Sequence, residues 1–114
     1  MLTQQLFIDT NRVTRYQQAF GLPPDTLPGT FLLTLWQAFS VPALVGRTYL
    51  LIEQQIRLQQ PLQWPATYDV SLQRTAVWPK HQAEIWIYHL ILKKEGQQVA
   101  DCETRIYVRP ISSQ

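Results

Sequence analysis

Hydrophobic and polar residues follow two different periods along this chain, and the change of period divides it into a helical first part and a stranded remainder. Residues 6–8, Leu-Phe-Ile, predict a short first strand. Asp9 or Thr10 then offers an N-cap for a helix over about 11–20, which Gly21 ends. Val13, Tyr16 and Phe20 fall at i, i+3 and i+7 and place one apolar stripe on that helix. The next segment, "GLPPDTLPG" at 21–29, contains three prolines and predicts an extended linker, because proline cannot donate an intrahelical bond.

The densest apolar run follows. Over 30–40, Phe31, Leu32, Leu33, Leu35, Trp36, Ala38 and Phe39 cover most of a helical circumference. Thr34, Gln37 and Ser40, spaced by three, form its one polar stripe. A helix with this pattern is expected to be buried nearly all round, and Pro42 is expected to end or kink it.

After Gly46 the period becomes two. In "TYLLIEQQIRL", Leu50, Ile52, Ile56 and Leu58 are expected on one face, with Glu53, Gln55 and Arg57 on the other, as in a half-buried strand. Tyr68, Val70 and Leu72 alternate with Asp69, Ser71 and Gln73. "AEIWIYHLIL" is apolar on both faces, as expected of a central strand covered on both sides. "KKEGQQ" predicts a hairpin turn at Gly96, and from Ala100 to Val108 apolar and polar residues alternate again. Consecutive strands joined by short turns pair antiparallel. Such a sheet can bury the 30–40 helix on most sides only by curling around it, so an α+β fold is expected, a curved antiparallel sheet wrapped around a long central helix.

Composition narrows the class. A chain of 114 residues with 46% apolar and 16% charged content is expected to fold as one domain, 1–114, around a single core. The net charge of +2, from Lys and Arg scattered along the chain, is too small for a nucleic-acid footprint. The single Cys102 excludes an internal disulfide framework and an all-Cys metal site, and among strand-forming residues it reads as a buried, inert thiol. No apolar run approaches the ~20 residues of a membrane-spanning helix. The N-terminus lacks the basic and apolar regions of a signal peptide, so a cytoplasmic location is the default. No cofactor is called for.

The order of motifs resembles a known superfamily. "LPGTFLLTLWQAF" is similar to the Pro-Gly lead-in of the central helix of β-hydroxyacyl-thioester dehydratases. "VTRYQQAFG" resembles the opening helix of MaoC-like hydratases, and "IRLQQPLQWPATYDVSL" the strand, turn and strand that follow the central helix in both groups. These segments cover nearly the whole chain, and together they resemble the hotdog fold. The resemblance implies an acyl-CoA or acyl-carrier-protein thioester as ligand, a homodimer with the ligand at the subunit interface, and no cofactor. It also implies that Gly29, Thr30 and Phe31, at the helix N-terminus, donate backbone N–H groups to the thioester carbonyl.

The proton-transfer groups depart from the family pattern. MaoC-like hydratases carry an Asp and a His shortly after the opening helix; here the region has Asp25 and no His. The other dehydratases place a His before the Pro-Gly and a Glu or Asp one turn into the helix; those positions fall near Phe20 and at Thr34. Threonine donates a hydrogen bond but is no general base at neutral pH. Asp25, Thr34 and Gln37 are therefore the candidate catalytic positions, although Asp25 reads first as a turn former after Pro-Pro, and Thr34 and Gln37 can equally bond neighbouring carbonyls. His89 reads as a satisfied core histidine, His81 as an exposed turn residue, and Tyr16 and Trp36 as core packing. Alternatives to a dehydratase-like acyl-thioester protein are a thioesterase using Asp25 or Glu53, and a non-catalytic subunit serving as a dimerisation or partner module. Part of the Trp86, Tyr88 and Leu90 row is expected on an outer sheet face that a second protomer covers.

Overall fold

The computed structural model describes residues 1–110, with the Gln37 side chain outside the described set. Five antiparallel strands form one sheet: β1 (Leu2–Ile8), β2 (Tyr49–Leu58), β3 (Ala66–Lys80), β4 (Ala83–Lys94) and β5 (Gln97–Val108). Their spatial order is β1-β3-β4-β5-β2, so β1 and β2 are the two edges. Between β1 and β2 the chain forms α1 (Thr10–Ala19), the central helix (Gly29–Ala38) and a short turn of 3₁₀ helix at Pro42–Leu44.

Local chemistry sets the boundaries of α1. Asp9 caps it by accepting the Arg12 N–H at 2.6 Å. Gly21, at φ 64°, takes the left-handed conformation that ends it, and the Leu22 N–H closes back on the Gln17 carbonyl at 2.8 Å. Val13 and Gln17, at i and i+4, face inward. Phe20, expected on the apolar stripe, is instead 65% exposed, because the helix has ended before its side chain comes round to the core. The buried Gln17 amide donates to the carbonyls of Pro24 and Thr26, at 3.0 and 2.9 Å, and so ties the proline-rich linker to α1.

The sheet is the wrapping of the central helix, as its apolar pattern required. Phe31, Leu32 and Leu35 are buried in a single cluster with Tyr68, Val70 and Leu72 of β3, Leu90 and Leu92 of β4, and Ala100 and Cys102 of β5. Two expectations about this helix are corrected. It is wound as a 3₁₀ helix, with i to i−3 bonds from Phe31 to Pro28 and from Phe39 to Trp36, each 3.0 Å. It is also not buried all round. At three residues per turn, side chains at i and i+3 line up, so Thr30, Leu33, Trp36 and Phe39 form one row. Thr30 is exposed and the other three are half-buried.

Three strand assignments also change. Trp86, Tyr88 and Leu90 point into the concave side and are buried there, so they are not an outer row. His89 lies on the convex face with its Nε2 3.4 Å from Glu103, not in the core; alternation puts it opposite its buried neighbours Tyr88 and Leu90. Strand β2 is exposed along most of its length, and a bulge between Leu51 and Glu53 breaks its alternation, so Leu50 and Ile56 no longer share a face. The reason is position: as an edge strand, β2 lacks a neighbour on one side, and the helix start covers it only around Ile56. Its far end is nevertheless anchored, since the buried Asp101 carboxylate accepts from Arg57 at 3.0 Å, Gln59 at 3.1 Å and Gln98 at 3.0 Å.

Candidate functional site

The open row of the central helix builds the floor of a series of grooves. The largest, about 720 Å3, lies between α1 and the first turns of the central helix. Tyr16, Phe20 and Leu22 line one side of it, and Pro28, Thr30, Leu33 and Thr34 the other. A second cavity, about 210 Å3, continues from Leu33 to Trp36 and reaches Tyr49, Leu51 and Gln54 of the β2 edge. A third, about 360 Å3, runs on from Trp36 past Phe39 to Val45 and Tyr49. Leu33 and Trp36 are shared between successive grooves, which follows from the three-residue period that stacks them.

Polar chemistry in the main groove is confined to hydroxyls and backbone N–H groups. The Tyr16 hydroxyl and Thr30 Oγ1 are 2.7 Å apart and share one hydrogen bond. Thr34 lines the groove while its Oγ1 donates to the Phe31 carbonyl at 2.7 Å, so it both faces the cavity and back-bonds to its own helix. Of the three N–H groups expected at the helix start, that of Phe31 is used by the Pro28 carbonyl. Those of Gly29 and Thr30 precede this first helical bond, where a 3₁₀ helix leaves donors without intrahelical partners. Trp36 Nε1 is buried without a hydrogen-bond partner at the wall between the second and third grooves.

The other sequence candidates are dispersed. Asp25 is exposed and lines a different groove, with Thr26, Leu58 and Trp64, so it is not brought to Thr34. Glu53 stands opposite Arg105 on the convex face of the sheet, away from the helix. The Phe31 ring is core, packed edge-on against Tyr16 at 5.2 Å. Gly29 serves packing rather than ligand approach on its Cβ side: a Cβ built there would lie 2.7 Å from Ile56 Cγ2. The Gln37 side chain lies outside the described residues.

Tyr16 is the site residue that sequence reasoning placed in the core. Its spacing marked an apolar stripe, and nothing local showed that its hydroxyl would meet Thr30, fourteen residues on. No carboxylate or imidazole lines the main groove among the described residues. As built, it can enclose an apolar chain and hydrogen-bond a carbonyl; it holds no side chain that would take up a proton at neutral pH. Cys102 is buried on the concave face, and burial pushes its thiol up from 9.0 against the lowering contact with Thr104, which keeps it protonated and inert. Among the described residues no helix is long and apolar enough to cross a membrane, and no three of His, Cys, Asp and Glu cluster as metal ligands.

Solved structures share this architecture. The HadBC complex, a 3R-hydroxyacyl-ACP dehydratase from Mycobacterium tuberculosis, superposes with a TM-score of 0.69 at 12% identity, over 93% of this chain and 94% of that one. A MaoC-like dehydratase from Phytophthora capsici gives 0.72 at 10% identity, over 99% of this chain and 48% of its own, so this chain spans about half of that protein. YbaW, a probable thioesterase from Escherichia coli, gives 0.59 at 15% identity, over 95% and 82%. No family model and no curated protein sequence matches the chain. The fold is therefore the hotdog fold, as the resemblance implied.

Proposed function

We propose that this protein binds acyl thioesters, acyl-CoA or acyl-carrier-protein, through the groove between α1 and the central helix. The carrying observation is the coincidence, in one groove, of an apolar wall with the helix start and the Tyr16–Thr30 hydroxyl pair. The Gly29 and Thr30 N–H groups at the positive end of the helix favour a polarised carbonyl oxygen. The Tyr16–Thr30 pair, one hydroxyl donating to the other, leaves a single further O–H donor at the same end, and Phe20, Leu22 and Leu33 suit an alkyl chain.

Binding without turnover by this chain alone is the reading that the groove chemistry supports. A dehydratase needs one group to take the α-proton and another to deliver a proton to the leaving hydroxyl. A thioesterase needs a carboxylate or imidazole to activate water, and Asp25 and Glu53 both stand away from the groove.

Association with a second hotdog chain, a copy of itself or a relative, completes the proposal. Leu50 and Leu51 are each 58% exposed on an edge strand whose outward N–H and C=O groups have no neighbour in the sheet, an arrangement that favours pairing with another strand. Tyr49 and Leu51 also border the second groove, so a chain docked on β2 would roof it. The likeness to a two-component dehydratase complex supports a partner that supplies the missing acid and base.

Calorimetry with acyl-CoA of graded chain length tests the binding reading, and hydration of crotonyl-CoA tests turnover. The expected result is binding that tightens with chain length, with no hydration by the purified chain. Failure to bind any acyl thioester at millimolar concentration overturns the proposal. Hydration by the purified chain overturns its non-catalytic part.

A further inference from the structure

At the end of the sheet away from β1 and the proline-rich linker, two arginines converge on one indole. Trp86, on the concave face of β4, is only 3% exposed. The Arg47 guanidinium carbon lies 5.1 Å from its ring centroid and that of Arg74 lies 4.6 Å away. Arg47 comes from the loop after the Pro42–Leu44 turn; Arg74 comes from β3, directly before the bulge that interrupts its pairing with β4. They are distant in sequence, and only the fold assembles them.

Ring quadrupoles attract each guanidinium, but one ring cannot neutralise two positive charges. Glu84 is the nearby acid, and its Oε1 accepts the indole N–H at 3.1 Å. The ion pairs among the described residues are Arg57 with Asp101 and His89 with Glu103, so neither Arg47 nor Arg74 has a carboxylate at ion-pair distance. Planar guanidinium forks, pre-oriented by stacking and with unused N–H donors, match the oxygens of a phosphate better than those of any apolar ligand.

We propose that Arg47 and Arg74, mounted on Trp86, form a phosphate site, and that the phosphate is that of the pantetheine arm of an acyl thioester, borne by coenzyme A or by a carrier-protein serine. The choice of ligand rests on the acyl-thioester reading; the phosphate site rests on the arginine geometry alone. Position is compatible with the link: Trp86 is 6.5 Å from Tyr88, and Tyr88 is 5.2 Å from Trp36, so the arginines stand two ring contacts from the residue that borders the second and third grooves.

The test compares acyl-pantetheine with acyl-4′-phosphopantetheine of the same chain by calorimetry, and follows the Trp86 indole N–H resonance during titration with pyrophosphate. The expected results are at least tenfold tighter binding of the phosphorylated compound, weakening with salt, and a saturable shift of the Trp86 resonance. Arg47→Gln and Arg74→Gln should each abolish most of that gain. Arg105→Gln, which removes a single guanidinium 5.4 Å from the Trp78 ring, should leave it intact. Equal affinity for the two compounds, with no indole shift, overturns the phosphate site and leaves the acyl reading standing; this comparison uses the unmutated protein and so does not depend on any variant folding. Phosphopantetheine binding as tightly as its acylated form does the reverse. Between sources, tighter binding of acyl-CoA than of acyl-carrier-protein assigns the phosphate to coenzyme A, and the opposite order assigns it to the carrier.

Discussion

The two sides of the central helix are almost equally apolar and behave differently. Phe31, Leu32 and Leu35 are sealed against the concave sheet, whereas Thr30, Leu33, Trp36 and Phe39 form a row that opens onto the grooves. The difference teaches that hydrophobicity here serves two ends, and that the 3₁₀ winding sorts residues between them. An α-helix would spread the same side chains around its axis; a period of three collects them into straight rows.

Truncating the sealed side should do the most damage. Leu35→Ala is expected to cost about 2–5 kcal/mol of stability, the range for a large-to-small change in a packed core, measured by urea unfolding. Gly29→Ala should come next, at about 1–3 kcal/mol, because the added methyl meets the β-branched Ile56 side chain at 2.7 Å and neither backbone nor strand can move freely. Leu33→Ala on the open row should cost less than Leu35→Ala in stability while weakening binding of long acyl chains more than short ones. If Leu33→Ala and Leu35→Ala proved equally destabilising, the division of the helix into two sides would be wrong.

Smaller effects sharpen the comparison. Tyr16→Phe and Thr30→Val should each weaken acyl-thioester binding by about 0.5–1.5 kcal/mol, the net worth of one hydrogen bond, and each should also lower the thermal midpoint by the loss of the single Tyr16–Thr30 bond, a smaller cost than Leu35→Ala. The pH response should report three buried groups of the concave sheet face. Burial raises the Cys102 thiol from 9.0 and the Tyr68 and Tyr88 hydroxyls from 10.0, in each case outweighing a neighbour that lowers them: Thr104 for Cys102, Gln63 for Tyr68 and Arg74 for Tyr88. The folded state therefore holds these protons to higher pH than the unfolded chain does. Their stabilisation is complete below the unfolded values, begins to fall near pH 9.0 as Cys102 ionises in the unfolded chain, and is lost as pH passes through the folded values. Denaturant midpoints measured from pH 7 upward check this, and Cys102→Ala should remove the earliest part of the decline.

Much of the fold was readable because it follows from local pattern. Alternation in β3 and β5, the Asp9 cap and the Gly21 stop each depend on neighbours a few residues away. Strand β2 was misread because alternation cannot reveal which strand becomes an edge, nor that a bulge at Ile52 will reverse its faces. His89 reads differently for a related reason: a strand apolar on both faces does not show which face meets the helix and which carries Glu103 beside it. At the site, the backbone donors at Gly29 and Thr30 were foreseeable from the Pro-Gly lead-in, whereas the separation of Asp25 from Thr34 was not, because the turn that carries Asp25 away is held by Gln17 from another element.

By itself, then, the order of apolar and polar residues determined that a sheet must enclose one oily helix, since no other element in so short a chain could shield it. Tertiary structure alone decided which side of that helix stays open, that Tyr16 meets Thr30, and that arginines scattered in sequence gather on Trp86. Burial preferences act on each residue through its nearest neighbours and so leave a periodic trace. Grooves and charge clusters arise from pairs far apart in the chain, and they leave none.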